Sequence, residues 1–286
     1  MSMSQIDGRN VLVTGGASGI GLHMAQKLAD RGAKVIIWDI DDSKMENIAA
    51  RMKSKERQIA FYHCDVSNRS EVYKTAEAVK KDFGRLDILI NNAGIVSGKG
   101  FLECTDEQLE KSMSVNLLAH FWTVRAFLPG MIRAGGGHIV TISSAGGLIG
   151  VSRLVDYCTS KFAAFGFDEA LRMEIGQEKW NIKTTVVCPY FANTGMFEGV
   201  RTRFPRLLPI LDEQRIAERI INAIAKDRRR LLMPWMVYST WLLRYLPTFA
   251  FDFLANLLGI NSAMLTFRGR TSAQNLTEKS KPVDFN

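Results

Sequence analysis

Cysteine and histidine are scarce in this chain of 286 residues, with four of each, and none of the cysteines (Cys64, Cys104, Cys158, Cys188) stands in a C-x-x-C spacing. The histidines (His23, His63, His120, His138) are just as scattered. A disulfide framework or a structural metal needs ligands at set intervals, so neither is expected. The opening segment "MSMSQIDGRN" has neither the charged start nor the apolar stretch of a secretory signal, which predicts a cytosolic protein. RNP-type, helix-turn-helix and zinc-finger patterns are also missing, and with them the case for nucleic acid. No internal repeat or low-complexity segment occurs, and only the two ends read as disordered.

What is present is a 47% hydrophobic chain, enough for one large core, with a formal charge of +8 that is unevenly placed. Residues 1–200 carry 23 Lys and Arg against 22 Asp and Glu, whereas residues 201–286 carry 14 against 7. The excess of cations therefore belongs to the last third, where it suits an anionic surface other than nucleic acid.

From Asn10 to about Leu232, short Val- and Ile-rich runs alternate with longer amphipathic segments. That is the rhythm of βαβ units around a mainly parallel sheet. The runs beginning at Asn10, Ala33, Gln58, Leu86, Gly137, Ile182 and Arg229 predict seven strands in one doubly wound α/β sheet. Helices are predicted over Ile20–Asp30, Asp42–Lys53, Arg69–Asp82, Asp106–Arg133, Asp156–Gln177 and Glu213–Lys226. Residues 8–232 are expected to form the catalytic domain. Beyond them, residues 233–286 read as an aromatic, Leu-rich extension with a flexible end. Pro234, Arg244, Pro247 and Asp252 cut its apolar runs below the ~18 residues a spanning helix needs.

The first strand runs into Thr14-Gly15-Gly16-Ala17-Ser18-Gly19-Ile20-Gly21 and then a helix. Glycines at 15, 19 and 21 permit a tight turn, close approach of backbone to a pyrophosphate, and close helix packing. The second strand ends at Asp39, where a carboxylate can accept hydrogen bonds from adenosine ribose hydroxyls and repel a 2'-phosphate. No Arg or Lys occupies the turn or the two positions after Asp39, so NAD is favoured over NADP. The alternative is that Asp39 caps the next helix, a role for which Asp41 and Asp42 compete.

Taken with this turn, "NNAG" at Asn91–Gly94, Asn116 in "SVNLLAHF", Ser144, and Tyr157 with Lys161 one helical turn later, the chain resembles the classical short-chain dehydrogenase/reductase family over about residues 8–232. The resemblance implies a Rossmann-type sheet with helices on both faces, a nicotinamide cofactor and a catalytic set of Asn116, Ser144, Tyr157 and Lys161. It also implies cofactor contacts along Gly15, Ser18, Gly19, Ile20 and Gly21, at Asp65 and Val66, at Asn92, Ala93 and Gly94, and at Pro189, Ala192 and Thr194. Where the family usually has Pro-Gly, this chain has Pro189-Tyr190, so Tyr190, Met196 and Phe197 are expected in the substrate pocket. The "TGMF" loop, the basic segment after it and the aromatic tail look like the branch of retinol, epidermal retinal and hydroxysteroid dehydrogenases. Many relatives there carry an N-terminal hydrophobic anchor, which is not seen in this sequence.

The chemistry expected follows from ordinary acidities. A phenol titrates near ~10, too high for a base at neutral pH, and a neighbouring ammonium favours the phenolate. Lys161 would thus let Tyr157 act as base in oxidation and acid in reduction, with Ser144 holding the substrate oxygen and Asn116 holding a relay water. Cys158 and His138 read as packing residues, and Asp168 with Glu169 as a solvated helix face. The helices around residues 112–133 and 156–177 imply a homodimer or homotetramer by the same resemblance. The tail has three readings: a lid over an apolar pocket, a dimer contact, or an interfacial element at a membrane surface, met by arginines. The expected activity is hydride transfer between NAD(H) and a lipophilic alcohol or carbonyl. An NADPH-dependent ketoreductase of acyl intermediates and a non-catalytic dinucleotide sensor are the rival readings.

Overall fold

Alternate residues of each strand go to opposite faces of one sheet, and this sorts the apolar runs into two layers. The computed structural model describes residues 6–52 and 58–269. On one face Val11, Val13, Val35, Ile37, Ile88, Ile90 and Val140 pack under helices α1 (Gly19–Ala29) and α7 (Glu213–Ala225). On the other, Leu12, Ile36, Trp38, Leu89 and Ile139 meet α3 (Arg69–Phe83), α5 (Ala119–Arg133) and α6 (Val155–Gln177). Strands buried on both sides have to be apolar throughout, which is why these runs lack polar alternation.

The strands are β1 (Asn10–Thr14), β2 (Lys34–Asp39), β3 (Ile59–His63), β4 (Ile88–Asn91), β5 (Gly137–Ile142), β6 (Ile182–Pro189) and β7 (Arg230–Met233). All pair in parallel, in the order β3-β2-β1-β4-β5-β6-β7. The order reverses between β1 and β4, leaving a crevice beyond the carboxyl ends of those two strands. Helix α2 (Asp42–Met52) follows β2, capped by Asp41, whose carboxylate accepts from the Lys44 N–H (3.0 Å). Asp39 is therefore free of the capping role. The expected disordered ends, and Lys53 at the close of the second predicted helix, lie outside the described residues.

Two sequence expectations need correction. The helix predicted over Asp106–Arg133 is two helices, α4 (Asp106–Met113) and α5, joined by a π-helical turn at Ser114–Leu118. A single extra residue in the ladder barely disturbs apolar periodicity, so the break is invisible in the sequence pattern. Asp168 is not on a solvated face: it is 2% exposed beneath the sheet, where Thr184 Oγ1 donates to its carboxylate (3.5 Å). Burial pushes that carboxyl up to about 7. Glu169, one residue on, does reach the surface, pairing with Arg230 (2.7 Å).

After β7 the chain forms a short 3-10 turn (Trp235–Tyr238), α8 (Ser239–Leu243) and α9 (Thr248–Leu257). It is tied back by the Tyr190 N–H donating to the Met233 carbonyl (2.8 Å), Arg244 Nε to the Leu148 carbonyl (2.9 Å), and the Arg268 N–H to the Glu198 carbonyl (2.8 Å). Among the described residues no helix is long and apolar enough to cross a membrane.

At the opposite end of the sheet Asp87 joins three segments. Its carboxylate accepts from the Asn10 N–H (2.9 Å), Arg9 (3.1 Å) and Arg85 Nε (2.8 Å). Burial alone would raise this carboxyl, but those donors hold it below the usual carboxylate value. A depressed folded-state pKa contributes stability that is present above the unfolded value near ~3.9 and is lost as pH falls through the folded one. Asp87→Asn should accordingly cost about 1–3 kcal/mol at pH 7, less than a buried pair because both arginines are half-exposed, and less at pH 3 than at pH 7. Thermal unfolding of both proteins at the two pH values checks this; equal losses at pH 7 and pH 3 would contradict it.

Candidate active site

The glycine turn is shaped by contacts that exclude any side chain. A Cβ on Gly21 would lie 2.2 Å from the Gly15 carbonyl oxygen, and one on Gly15, at φ +62°, would lie 2.9 Å from Ala93 Cα. The turn is thus pressed against "NNAG" after β4. Thr14 Oγ1 accepts from the Asn92 and Ala93 N–H groups (3.0 and 3.1 Å), and Asn92 Nδ2 donates to the carbonyls of Thr14 and Gly15 (2.9 and 3.1 Å). Helix α1 begins here with no acidic residue in its first turn, so its positive end faces the crevice. Asp39 steadies the rim, its Oδ2 accepting from the Ala17 N–H (2.9 Å) and its Oδ1 from the Asp41 N–H (3.1 Å). Each oxygen retains an acceptor site for a hydroxyl.

A cavity of about 390 Å³ starts at this turn, touching Gly15, Ser18, Gly19, Ile20, Gly21 and Asp39, and continues past Asp65, Val66, Asn92, Ala93 and Gly94. The Asp65 carboxyl would be raised by burial, but hydrogen bonds from Ser67 and the Lys111 ammonium hold it low. Further in, the wall is formed by Ser144, Tyr157, Lys161, Pro189, Tyr190, Ala192, Thr194, Met196 and Phe197. A dinucleotide fits this donor set: a cradle that only glycine allows, a helix N-terminus, and an acid at the end of β2. No group of His, Cys, Asp and Glu able to hold a metal occurs among the described residues.

The four residues expected to be catalytic are brought together, all buried, by three elements. Tyr157 and Lys161 stand on α6, and Ser144 follows β5. Ser144 Oγ donates to the Pro189 carbonyl (3.4 Å) and accepts from the Gly146 N–H (3.1 Å), close enough to the Tyr157 phenol to influence its acidity. The Lys161 ammonium lies 5.7 Å from the centre of the Tyr157 ring and donates to the Ile142 carbonyl (2.9 Å). Gly147 makes room for this, since a Cβ there would stand 2.5 Å from the Lys161 carbonyl oxygen.

Asn116 lies within the π-helical turn. Its Oδ1 accepts from the Ile95 N–H (2.8 Å), while its Nδ2 donates to the Ile95 carbonyl (2.9 Å) and to Ser160 Oγ (3.0 Å). Both amide protons are spent on protein, so the side chain acts as a clamp between the "NNAG" loop and α6.

Burial governs the acidities. It drives the Tyr157 phenol well above its ordinary value, only partly offset by the Ser144 hydrogen bond, and it lowers the Lys161 ammonium to about 8. The direction at Tyr157 is set by desolvation of the phenolate. His138, donor or acceptor to Thr185 Oγ1 (2.8 Å), is pushed down to about 4, and the Cys158 thiol up to about 11, both by burial. Neither lines the cavity, in keeping with packing roles.

The sequence offered the tail as a lid over an apolar pocket as one of three readings, but did not name the individual residues of this cavity. Ile149, Val151, Leu154, Leu207, Leu208, Met236, Val237, Leu243, Leu258 and Ile260 complete its apolar wall. Most come from the segment after Thr194 and from the tail, whose apolar residues carry no motif; the only signal was their density. Phe197 meets the Tyr157 ring edge-on (5.6 Å) and Phe191 likewise (5.2 Å).

The geometry agrees with known proteins. The family described as short chain dehydrogenase matches residues 9–204. The chain is 46% identical over 262 residues to epidermal retinol dehydrogenase 2 of Homo sapiens, covering 91% of this chain and 85% of that protein. It is 42% identical over 279 residues to short-chain dehydrogenase/reductase family 16C member 6 of Bos taurus, covering 96% and 88%. Among solved structures it is similar to a short chain dehydrogenase/reductase from Burkholderia phymatum in complex with NAD (TM-score 0.76, 25% identity, 84% and 94% covered). A metagenomic short-chain oxidoreductase in complex with NADP is also similar (TM-score 0.66, 26% identity, 81% and 96% covered). A parallel sheet split at β1 and β4, a glycine cradle and a buried Ser–Tyr–Lys cluster at one cavity are thus joined by sequence kinship: the chain belongs to the short-chain dehydrogenase/reductase family and is a dinucleotide-dependent oxidoreductase of CH–OH groups.

Proposed function

We propose that the enzyme interconverts a lipophilic alcohol and its carbonyl with NAD(H), and that the substrate is a retinoid or a compound of similar bulk and apolarity. The observation that carries this is the cavity itself: one cavity is lined by the glycine cradle and Asp39, by the Ser144–Tyr157–Lys161 cluster, and by apolar residues of the tail such as Leu243, Leu258 and Ile260. Beyond the dinucleotide contacts such a site is mostly apolar, with a few polar groups including the Ser144–Tyr157–Lys161 cluster, which is how an apolar pocket orients a ligand with one functional group. Kinship with retinol dehydrogenases supports the retinoid reading.

In this reading Gly15–Gly21, Asp39, Asp65, Val66, Asn92–Gly94, Pro189, Ala192 and Thr194 hold the dinucleotide, whose nicotinamide supplies the hydride-exchanging carbon and, when oxidised, a positive charge. Ser144 donates to the substrate oxygen, and Tyr157 takes the alcohol proton in oxidation or returns it in reduction. Burial raises the phenol, and the Lys161 ammonium together with the positive charge of an oxidised nicotinamide would act in the opposite sense, favouring the phenolate. Asn116 positions Lys161 through Ser160 rather than touching substrate. Asp39 favours NAD, because an NADP 2'-phosphate would meet its carboxylate. Residues 8–232 act as the catalytic unit and 233–286 as an extension covering the pocket. Exposed Phe121, Leu118 and Met173 on and beside α5 and α6 suit a homodimer built on those helices.

Tyr157→Phe should lower kcat by about 10²- to 10⁴-fold while dinucleotide affinity, read by fluorescence titration, is unchanged; retained turnover would remove Tyr157 from the chemistry. The ratio of kcat/KM with NAD to that with NADP should exceed one and fall at least about tenfold in Asp39→Ser, the equivalent of ~1.4 kcal/mol of lost discrimination. A wild-type preference for NADP would overturn the assignment. Leu243→Trp, which fills the far end of the cavity, should raise KM for retinol-sized alcohols and leave short-chain alcohols unaffected; equal effects on both would argue against the extension as a pocket wall.

A further inference from the structure

The segments that close the far end of the cavity have a second, outward face. In the tail, neighbours in sequence divide between the two: Leu243 lines the cavity while Leu242 is 73% exposed, and Leu258 lines it while Leu257 is exposed. On α9, Phe249 (79% exposed), Phe253 (65%) and Leu257 recur at i, i+4 and i+8, a single stripe along the helix. Trp235, Tyr238, Leu242 and Tyr245 (89% exposed) are further exposed apolar or aromatic side chains in the 3-10 turn, on α8 and just after it. A surface this apolar and this aromatic marks an interaction site.

Its rim is cationic. The loop of residues 199–211 has Arg201, Arg203 and Arg206, all exposed, and no acid. It lies against the end of α9, because Arg203 donates to the Leu257 carbonyl (3.2 Å) and stacks on Phe204 (5.6 Å). None of these three arginines pairs with a carboxylate among the described residues. Arg244 and Arg268 add to the charge, and the nearby acids are Glu198 and Asp252.

We infer that this face docks on an anionic lipid bilayer, with the exposed aromatic side chains of α8 and α9 in the headgroup boundary and Arg201, Arg203 and Arg206 on the lipid phosphates. Aromatic rings with one apolar body and one polar tip, flanked by arginines, are the composition of an interfacial element. A second copy fits less well, since an isologous contact would turn the same cationic patch upon itself. Cavity-lining and membrane-facing residues then share the same segments, so a lipophilic substrate can pass from the bilayer to the site along them; that consequence, unlike the docking, rests on the proposed substrate class.

Flotation of the full chain with vesicles of phosphatidylcholine alone, or with added phosphatidylserine, tests the docking independently of turnover. Binding is expected to the anionic vesicles, weakening with salt, with brominated acyl chains quenching tryptophan fluorescence. Phe249→Ser with Phe253→Ser should lower the partition coefficient at least about tenfold. Arg201→Gln with Arg206→Gln should lower it at least about fivefold and flatten the salt dependence. Circular dichroism and dinucleotide binding verify that each variant is folded, and the arginine pair stands as an independent test if the phenylalanine pair is not. Absence of binding to anionic vesicles, or binding undiminished in both variants, would overturn the proposal. A dimer in sedimentation velocity that the phenylalanine variant dissociates would overturn it too, giving the face to a second copy. Loss of activity on retinol-sized alcohols with vesicle binding intact would instead strike the substrate reading alone.

Discussion

A buried ammonium sets the terms for the rest of the site. Lys161 is 3% exposed, and a cation so placed has to be solvated by protein dipoles or give up its proton. The Ile142 carbonyl at the end of β5 is one such dipole, reached because Gly147 lets α6 close on the strand end. The same approach puts Tyr157 beside Ser144. Asn116 locks the arrangement from the opposite side, its amide gripping Ile95 and, through Ser160, α6. Remove the close packing of α6 on the end of β5 and the ammonium, phenol and hydroxyl no longer share one cavity.

The fold was legible because each strand has to satisfy both faces of the sheet. Val11, Leu12 and Val13 cannot be explained by a one-sided strand, and a continuous apolar run bounded by glycine and a helix pattern leaves few alternatives. The glycine turn was legible for a related reason: Gly15 and Gly21 are required by atoms 2.2–2.9 Å away, so the residue type records the contact. Asn116, Ser144, Tyr157 and Lys161 were found by resemblance, not by periodicity, and the structure gathers them.

What escaped the sequence depends on a neighbour far along the chain or on a net of opposing effects. The π-helical turn changes the register of one residue. Asp168 sits on a helix beside an exposed glutamate, and only the sheet above it makes it buried. Tyr157 carries a phenol raised by desolvation, although its helical partner taken alone predicts the reverse. The sign comes from burial, which no local pattern contains.

Tyr190 shows how the catalytic core and the tail became one site. Its departure from the glycine expected after Pro189 places an aromatic ring against Phe191 (4.8 Å) and between two apolar clusters, one around Ala145, Leu148 and Phe165, the other around Leu154, Tyr157 and Phe191. Its N–H continues the pairing of β6 with β7 by donating to Met233, the residue from which the tail departs. A glycine could make that hydrogen bond but would leave the ring's space empty beside Tyr157. With tyrosine there, the wall nearest the reacting groups and the start of the extension are packed on the same side chain. The pocket's apolar character follows from that shared packing, since its chemistry and its cover are held by one residue.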